Sequence, residues 1–421
     1  MTDNFILKNV KIKDCEQPCD IYVSEGIIKK IGNDISENNA EVFDCNGLNV
    51  IPGIFDMHVH FRDPGFTYKE DIITGTRSAL AGGVTGVLCM PNTNPPVDNP
   101  ETLKYIYDKA KDSGVEVHQT ACITKGMKGS ELCDYDELKN AGASALSDDG
   151  RPVENAELMR EALELSNENG LIITSHCEDL SIINGGIMNK GIISEKLSVK
   201  GMDRASENIV TAREILLAES VGARIHIAHV STAESVEIIR HAKKNGIRVT
   251  CETCPHYFML TDEKLLARDA DFRMNPPLRT KKDVDAVTEG IIDGTIDCIV
   301  TDHAPHATDE KKIFEKAPNG VVGLETSLSA TLTALYHTGK ISLQKLIEIM
   351  CINPRKILGL EIHDIKEGEC ADFTVVDLEK CWTVEPEKLH SKSRNTVFKG
   401  MTLKGKPLMT VSDGKIRYNE M

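Results

Sequence analysis

At 421 residues, 40% of them hydrophobic and 27% charged, the chain is long enough to bury one large core or two unequal ones. A formal charge of −16 and a pI near 5.3 argue against nucleic acid or an anionic membrane as partner, because the general field repels polyanions. No run of about 18 apolar residues is present, the opening MTDNFILKNV lacks the basic and apolar regions of a secretory leader, and the 13 cysteines have no framework spacing, so a cytoplasmic chain with reduced thiols is expected.

Positions 1–50 read as short strands and turns, over 6–10, 21–23, 26–31 and 42–44, with no helical periodicity. The far end matches in style, with strands expected over 373–377, 396–398, 407–411 and 415–418. Val23-Ser-Glu-Gly-Ile27 and Val411-Ser-Asp-Gly-Lys415 are both hairpin-like turns. The two ends are therefore expected to form one small β-sandwich domain, 1–50 plus 366–421.

Between them, eight strand-like apolar runs alternate with helical stretches: 51–55, 84–90, 117–123, 143–146, 171–175, 224–229, 248–252 and 298–301. The helices carry their own signals. Residues 157–169 end at Gly170, 324–335 carry a leucine stripe, Ser342 is placed to cap a helix, and Asn353-Pro354 opens another. Eight alternations imply parallel strands, and a closed (β/α)8 TIM-type barrel over 51–365 is the economical solution. An open doubly wound sheet would need a Gly-rich phosphate turn, and G-x-G-x-x-G is absent.

The run IPGIFDMHVHFR (51–62) places His58 and His60 two residues apart after an apolar strand, so extended backbone aims both imidazoles at one side. Two such imidazoles can grip a divalent ion, and Arg62, in the same period, can hold an anionic group beside it. Catalytic groups of a barrel gather at the C-terminal ends of its strands. There the sequence puts His58 and His60, then Asp148 and Asp149, His176, His229 and Asp302. That concentration points to a metal centre. The C-x-x-C of Cys251 and Cys254 has no second pair to complete a zinc ribbon, and His256 and His303 read as structural residues or as outer partners of the ligands.

These motifs resemble the amidohydrolase superfamily and, within it, the type I dihydroorotases, over essentially the whole chain. The resemblance runs through PGIFDMHVHFRDPG (52–65), GGVTGVLCMPNTNP (82–95), SDDGRPV, SHCED, AHVST, RMNPPLR (273–279), TDHAPH and GLET. It implies His58, His60, His176 and His229 as ligands of one or two zinc ions, with Asp302 a ligand that also moves the proton. Hydantoinases and allantoinases bridge two metals with a carboxylated lysine after the fourth strand; this chain has Ser147-Asp148-Asp149, and the match falls on Asp149. The implied activity is the reversible cyclisation of N-carbamoyl-L-aspartate to dihydroorotate in pyrimidine synthesis, with zinc-bound hydroxide as nucleophile and Asp302 as general acid and base. His60, Arg62, Asn92, Asn275, His306 and Gly320 match substrate contacts. Residues 317–320 read Ala-Pro-Asn-Gly where the family usually has A-P-F-G, and the polar stretch 307–316 is expected to be a mobile cover of the pocket. A homodimer is expected, and an association with aspartate carbamoyltransferase is left open.

Overall fold

The computed structural model describes residues 4–13, 15 and 17–421. The chain opens with β1 (Asn4–Ile12), β2 (Cys19–Ser24), β3 (Ile27–Gly32), β4 (Glu41–Asp44) and β5 (Asn49–Pro52). It continues through β6 (Ile54–Val59), β7 (Val84–Cys89), β8 (Glu116–Ala121), β9 (Ala145–Leu146) and β10 (Ile173–Ser175). A two-stranded ribbon, β11 (Met188–Asn189) with β12 (Gly201–Met202), precedes β13 (Ile225–Ile227), β14 (Val249–Thr253) and β15 (Cys298–Ile299). The chain closes with β16 (Phe373–Thr383), β17 (Thr402–Ser412) and β18 (Lys415–Asn419).

Strands β6, β7, β8, β9, β10, β13, β14 and β15 pair in that order, all parallel. The ring is completed past the last strand, where His60 N–H donates to the His303 carbonyl at 2.8 Å and Val59 bridges to His303 in parallel. The expected (β/α)8 barrel is therefore the fold. Every residue of β6 and β7 is buried, as strands covered on both faces require. Intervening helices start where the sequence offers caps: Asn155 accepts from Glu157 and Leu158 N–H, and Ser342 from Lys345 N–H. The leucine stripe over 324–335 forms a shorter α-helix, Ser327–Thr331, running into a π-helical turn, Leu332–Tyr336. No helix among the described residues is long and apolar enough to cross a membrane.

The terminal strands form a second sheet in the order β18, β17, β16, β5, β1, β2, β3, with β4 also on β1. It has its own apolar core, including Phe5, Ile21, Val50, Phe373, Val375 and Val411. Side chains alternate across the β5 and β16 pair: Val50 and Val375 face that core, whereas Ile51 and Val376 join the barrel's. One antiparallel pair thus serves both hydrophobic cores. The two hairpin turns singled out in the sequence meet each other: Gly26 and Gly414 have φ of +78° and +70°, and a Cβ added to Gly414 would lie 2.0 Å from Gly26 Cα.

Two strand expectations need correction. The apolar run 51–55 is not one strand but the junction of β5 and β6. Gly53 allows the passage between sheets, since a Cβ there would meet Asp372 Oδ1 at 2.0 Å and Thr85 Oγ1 at 2.1 Å. His58 consequently lies inside β6 rather than after it. Residues 396–398 form no strand. That segment is a strut, in which Asn395 donates to the Ala304 and Gly320 carbonyls (3.3 and 2.9 Å) and accepts Val322 N–H on its own carbonyl (3.0 Å).

Because Gly414 combines a left-handed backbone with direct backbone contact, Gly414→Ala is expected to cost more than a simple φ penalty of about 1 kcal/mol. Gly222, with φ of +63° and open space around it, is the control for that penalty. Chemical denaturation should show Gly414→Ala destabilised beyond Gly222→Ala; equal losses would mean that the hairpin contact is not needed for stability.

Candidate metal centre and active site

The C-terminal mouth of the barrel collects every predicted ligand. His58 comes from β6, His60 follows it, Asp149 follows β9, His176 follows β10, His229 lies past β13, and Asp302 lies past β15. All six are buried. Arg62, His229 and Asp302 have φ of +61°, +33° and +47°, the left-handed region that costs about 1–3 kcal/mol per non-glycine residue and recurs at functional sites. The barrel's stability carries that cost.

Asp149 is the centre of the cluster. Its Oδ1 lies 3.6 Å from His58 Nε2, 3.5 Å from His176 Nδ1 and 3.6 Å from His229 Nε2, and its Oδ2 lies 3.6 Å from His60 Nε2. Asp302 Oδ1 completes the ring, 3.0 Å from His60 Nε2 and 3.7 Å from His58 Nε2. Two sets of potential ligands share Asp149: His58 with His60, and His176 with His229. A tetrahedral ion with bonds of about 2.0–2.1 Å keeps its ligand atoms roughly 3.3–3.4 Å apart, close to these separations. His58 Nε2 and Asp149 Oδ1 are moreover buried without a hydrogen-bond partner, which is otherwise costly. The donor set of imidazole nitrogen and carboxylate oxygen fits a borderline divalent cation such as zinc.

The electrostatics show the same need for positive charge. Burial pushes the Asp149 carboxyl up, but the imidazoles of His176, His229 and His58 outweigh it and hold the group well below the usual carboxylate range. Burial opposes charge on His176, yet Asp149 and Glu178 raise its pKa to about 10. Asp302 is likewise lowered, burial being overcome by His60 and the neighbouring imidazoles. Asp148, next in sequence to Asp149, faces away: its Oδ1 accepts Ile123 and Thr124 N–H at 2.8 and 3.2 Å, so it holds a loop.

Outward-facing nitrogens of three of the four histidines are tethered. His60 Nδ1 meets Asn92 Oδ1 at 2.8 Å, His176 Nε2 meets Glu178 Oε2 at 3.1 Å, and His58 Nδ1 meets Glu252 Oε1 at 2.5 Å. Such outer partners fix tautomer and ring orientation. Glu178 and Glu252 were missed in the sequence reading. Each carried a signal, Glu178 two residues past His176 in SHCED and Glu252 near the end of the seventh barrel strand.

A cavity of about 210 Å³ opens above the cluster. It is lined by all six residues matched to substrate contacts, His60, Arg62, Asn92, Asn275, His306 and Gly320, together with Asp149, His176, His229 and Asp302. Arg62 is half-buried, donates through Nε to the Pro305 carbonyl at 3.3 Å, and forms no ion pair with a carboxylate among the described residues. A guanidinium so placed is free for an anionic ligand. His306 is held neutral by burial and by the cations of Arg62, Lys69 and Lys311; its Nε2 donates to the Asn319 carbonyl at 2.8 Å. Asn275 Nδ2 donates to Glu178 Oε1 at 2.9 Å. A larger groove of about 540 Å³ beside Trp382 and Tyr418 lies away from the cluster.

The stretch 307–316 is tied down at Lys311. This lysine is buried rather than solvated, lowered to about 7 by burial, and donates to the carbonyls of Ala270, Arg273 and Pro318 at 3.1, 3.1 and 2.8 Å. His303 pairs with Glu70 at 3.4 Å and accepts Gly323 N–H at 3.2 Å, and among the described residues neither it nor buried His256 belongs to a group of side chains placed to share a metal ion. Cys251 and Cys254 are buried and free.

Since Asp149 belongs to both ligand sets, Asp149→Ala should weaken zinc binding at least as much as losing an outer partner does, about 10- to 100-fold. Elemental analysis after dialysis at fixed free zinc measures this. Unchanged occupancy would remove Asp149 from the centre.

Residues 47–235 match a family model described as dihydro-orotase-like. The chain is 50% identical over 403 residues to a dihydroorotase of Acetivibrio thermocellus, with 95% of each chain covered. It is 49% identical over 423 residues to a dihydroorotase of Trichlorobacter lovleyi, with 99% of each covered. Among solved structures it resembles the L-hydantoinase (dihydropyrimidinase) of Arthrobacter aurescens, with a TM-score of 0.86, 26% identity, and 99% of this chain and 96% of that chain covered. A sequence likeness of this extent, on a barrel whose mouth gathers four histidines and two aspartates, shows that the chain belongs to the dihydroorotase family.

Proposed function

We propose that this chain catalyses the reversible cyclisation of N-carbamoyl-L-aspartate to L-dihydroorotate in pyrimidine biosynthesis, as a metal-dependent cyclic amide hydrolase. The observation that carries the reading is one cavity in which an unpaired Arg62 guanidinium lines the wall beside a cluster of four imidazoles and two carboxylates.

His58, His60, Asp149, His176, His229 and Asp302 would hold the metal, zinc in this reading, with one or two ions per chain. A bound zinc ion supplies Lewis acidity, polarising a carbonyl and lowering the pKa of water toward about 7. The chain's own residues do the rest. Arg62 pairs with the substrate carboxylate, overcoming a net charge that would otherwise repel it, and Asn92 and His306 stand beside it. Asn275 and the backbone of Gly320 orient the ring. In the hydrolytic direction Asp302 accepts the proton of the attacking water and returns it to the amide nitrogen as the ring C–N bond breaks. In the biosynthetic direction the same carboxylate takes the proton from the ureido nitrogen as the C–N bond forms and returns it to the departing hydroxyl, so that the C–O bond breaks and water leaves.

The division into a β domain (1–50 plus 366–421) and a barrel (51–365) is part of the proposal, supported by the separate apolar core of the terminal sheet; Val376, Val384, Val397, Phe398 and Leu403 of the second segment pack into the barrel core. A cytoplasmic location is supported by 13 free thiols. A homodimer and an association with aspartate carbamoyltransferase rest on the family resemblance.

The test is interconversion of dihydroorotate and N-carbamoyl-L-aspartate by the purified, zinc-loaded chain; loaded protein without turnover in either direction would overturn the reading. Asp302→Ala should lower kcat by about 10²–10⁴-fold with the circular dichroism spectrum unchanged, and near-normal turnover would exclude its proton role. Arg62→Met removes a charge-assisted pair worth about 1.5–3 kcal/mol. It should raise KM by roughly 10- to 100-fold with zinc content unchanged; an unaltered KM would place the carboxylate elsewhere.

A further inference from the structure

Glu252 lies wholly buried under the cluster and does not line the cavity. Its Oε1 accepts from His58 Nδ1 at 2.5 Å and from the backbone N–H of His229 at 3.4 Å. Its Oε2 meets His226 Nε2 at 3.1 Å, and His226 Nδ1 pairs in turn with Thr250 Oγ1 at 2.8 Å. Among the described residues, no lysine or arginine pairs with it. The carboxylate is therefore balanced only by N–H donors, and two of these belong to candidate ligands from opposite ligand sets.

An ionised carboxylate can only accept hydrogen bonds. Its contact with His58 puts the proton on Nδ1 and leaves the lone pair of Nε2, buried and without a hydrogen-bond partner, directed at the cluster. Its contact with His229 holds the main chain of a residue at φ +33°, where few side-chain-bearing residues rest unaided. Asn92 and Glu178 each tether one histidine ring; Glu252 reaches both halves of the centre. It also places a negative charge behind the His58 imidazole, which makes that ring a stronger donor to a cation.

We propose that Glu252 is a positioning residue for the metal centre, aiming His58, holding the His229 backbone, and raising the affinity of both ligand sets for a divalent cation. The inference rests on the metal-centre reading above. Because Glu252 has no surface in the cavity, its effect is expected on metal affinity itself rather than on substrate contact.

Zinc affinity of the metal-stripped wild type, Glu252→Gln and Glu252→Leu, by competition with a chromophoric chelator, tests it. Melting of the metal-free forms is followed in parallel. Glutamine has nearly the same volume; its carbonyl can still accept from His58 and its amide can donate to His226 in the other tautomer, so it reports the charge. Leucine removes the charge and the aim. Zinc affinity should fall about tenfold in Glu252→Gln and about a hundredfold in Glu252→Leu. Wild-type affinity in folded Glu252→Gln would overturn the inference, as would a lower melting temperature with zinc affinity of the folded protein unchanged. Should Glu252→Leu not fold, the glutamine variant carries the test. A wild type that binds no zinc would instead overturn the metal-centre reading itself.

Discussion

A carboxylate buried among four imidazoles is the constraint on which the rest of this structure depends. Asp149 cannot remain charged in a barrel mouth without compensation, since an unpaired buried anion costs several kcal/mol. Its surroundings hold it ionised all the same. The imidazoles that compensate it arrive from β6, β10 and β13, strands far apart in sequence, so only a closed parallel barrel with strand ends in register brings them within 3.6 Å of one carboxyl group. The site is the price of the fold's convergence, and left-handed backbone at Arg62, His229 and Asp302 is part of it.

The scaffold beneath and around the mouth is correspondingly well braced by packing and hydrogen bonds. Below, β5 and β16 share their two faces between the barrel core and the terminal core, and β17 adds Leu403 to the barrel core and a Thr410 hydroxyl donated to the Leu80 carbonyl at 2.7 Å, so the terminal sheet braces the barrel. At the rim, Asn395 ties the strand-end segment at Ala304 to Gly320, and Lys311 clasps three carbonyls of the loops that wall the cavity. Buried Glu207 joins Arg279 to the Ser231 and Thr232 backbone just past His229. Asn395, Lys311, Glu207 and Arg279 hold the walls of the cavity without lining it themselves.

Much of this was legible in the sequence. Apolar runs ending in His, Asp or His-x-His announce strand ends carrying ligands, because a buried strand reads as continuous hydrophobicity and its polar terminus stands out. Other features were not legible from the residues alone. Asp148 and Asp149 are chemically identical neighbours, and only the turn after β9 decides that one holds the 123–124 backbone while the other enters the cluster. Thr396, Val397 and Phe398 have strand-forming side chains, but their backbone follows a strut set by Asn395. Run 51–55 looked like one strand because Gly53 interrupts its pairing without interrupting its hydrophobicity. Glu252 was hidden by its position inside a predicted strand, where a carboxylate reads as a solvated face until the barrel closes over it.

The most direct test of the account is anomalous diffraction at the zinc edge from crystals of the zinc-loaded chain. The account places anomalous density against Asp149, between His58 and His60 on one side or His176 and His229 on the other, with both positions filled if two ions bind. Zinc bound elsewhere, with Asp149 free of any ion, would contradict it.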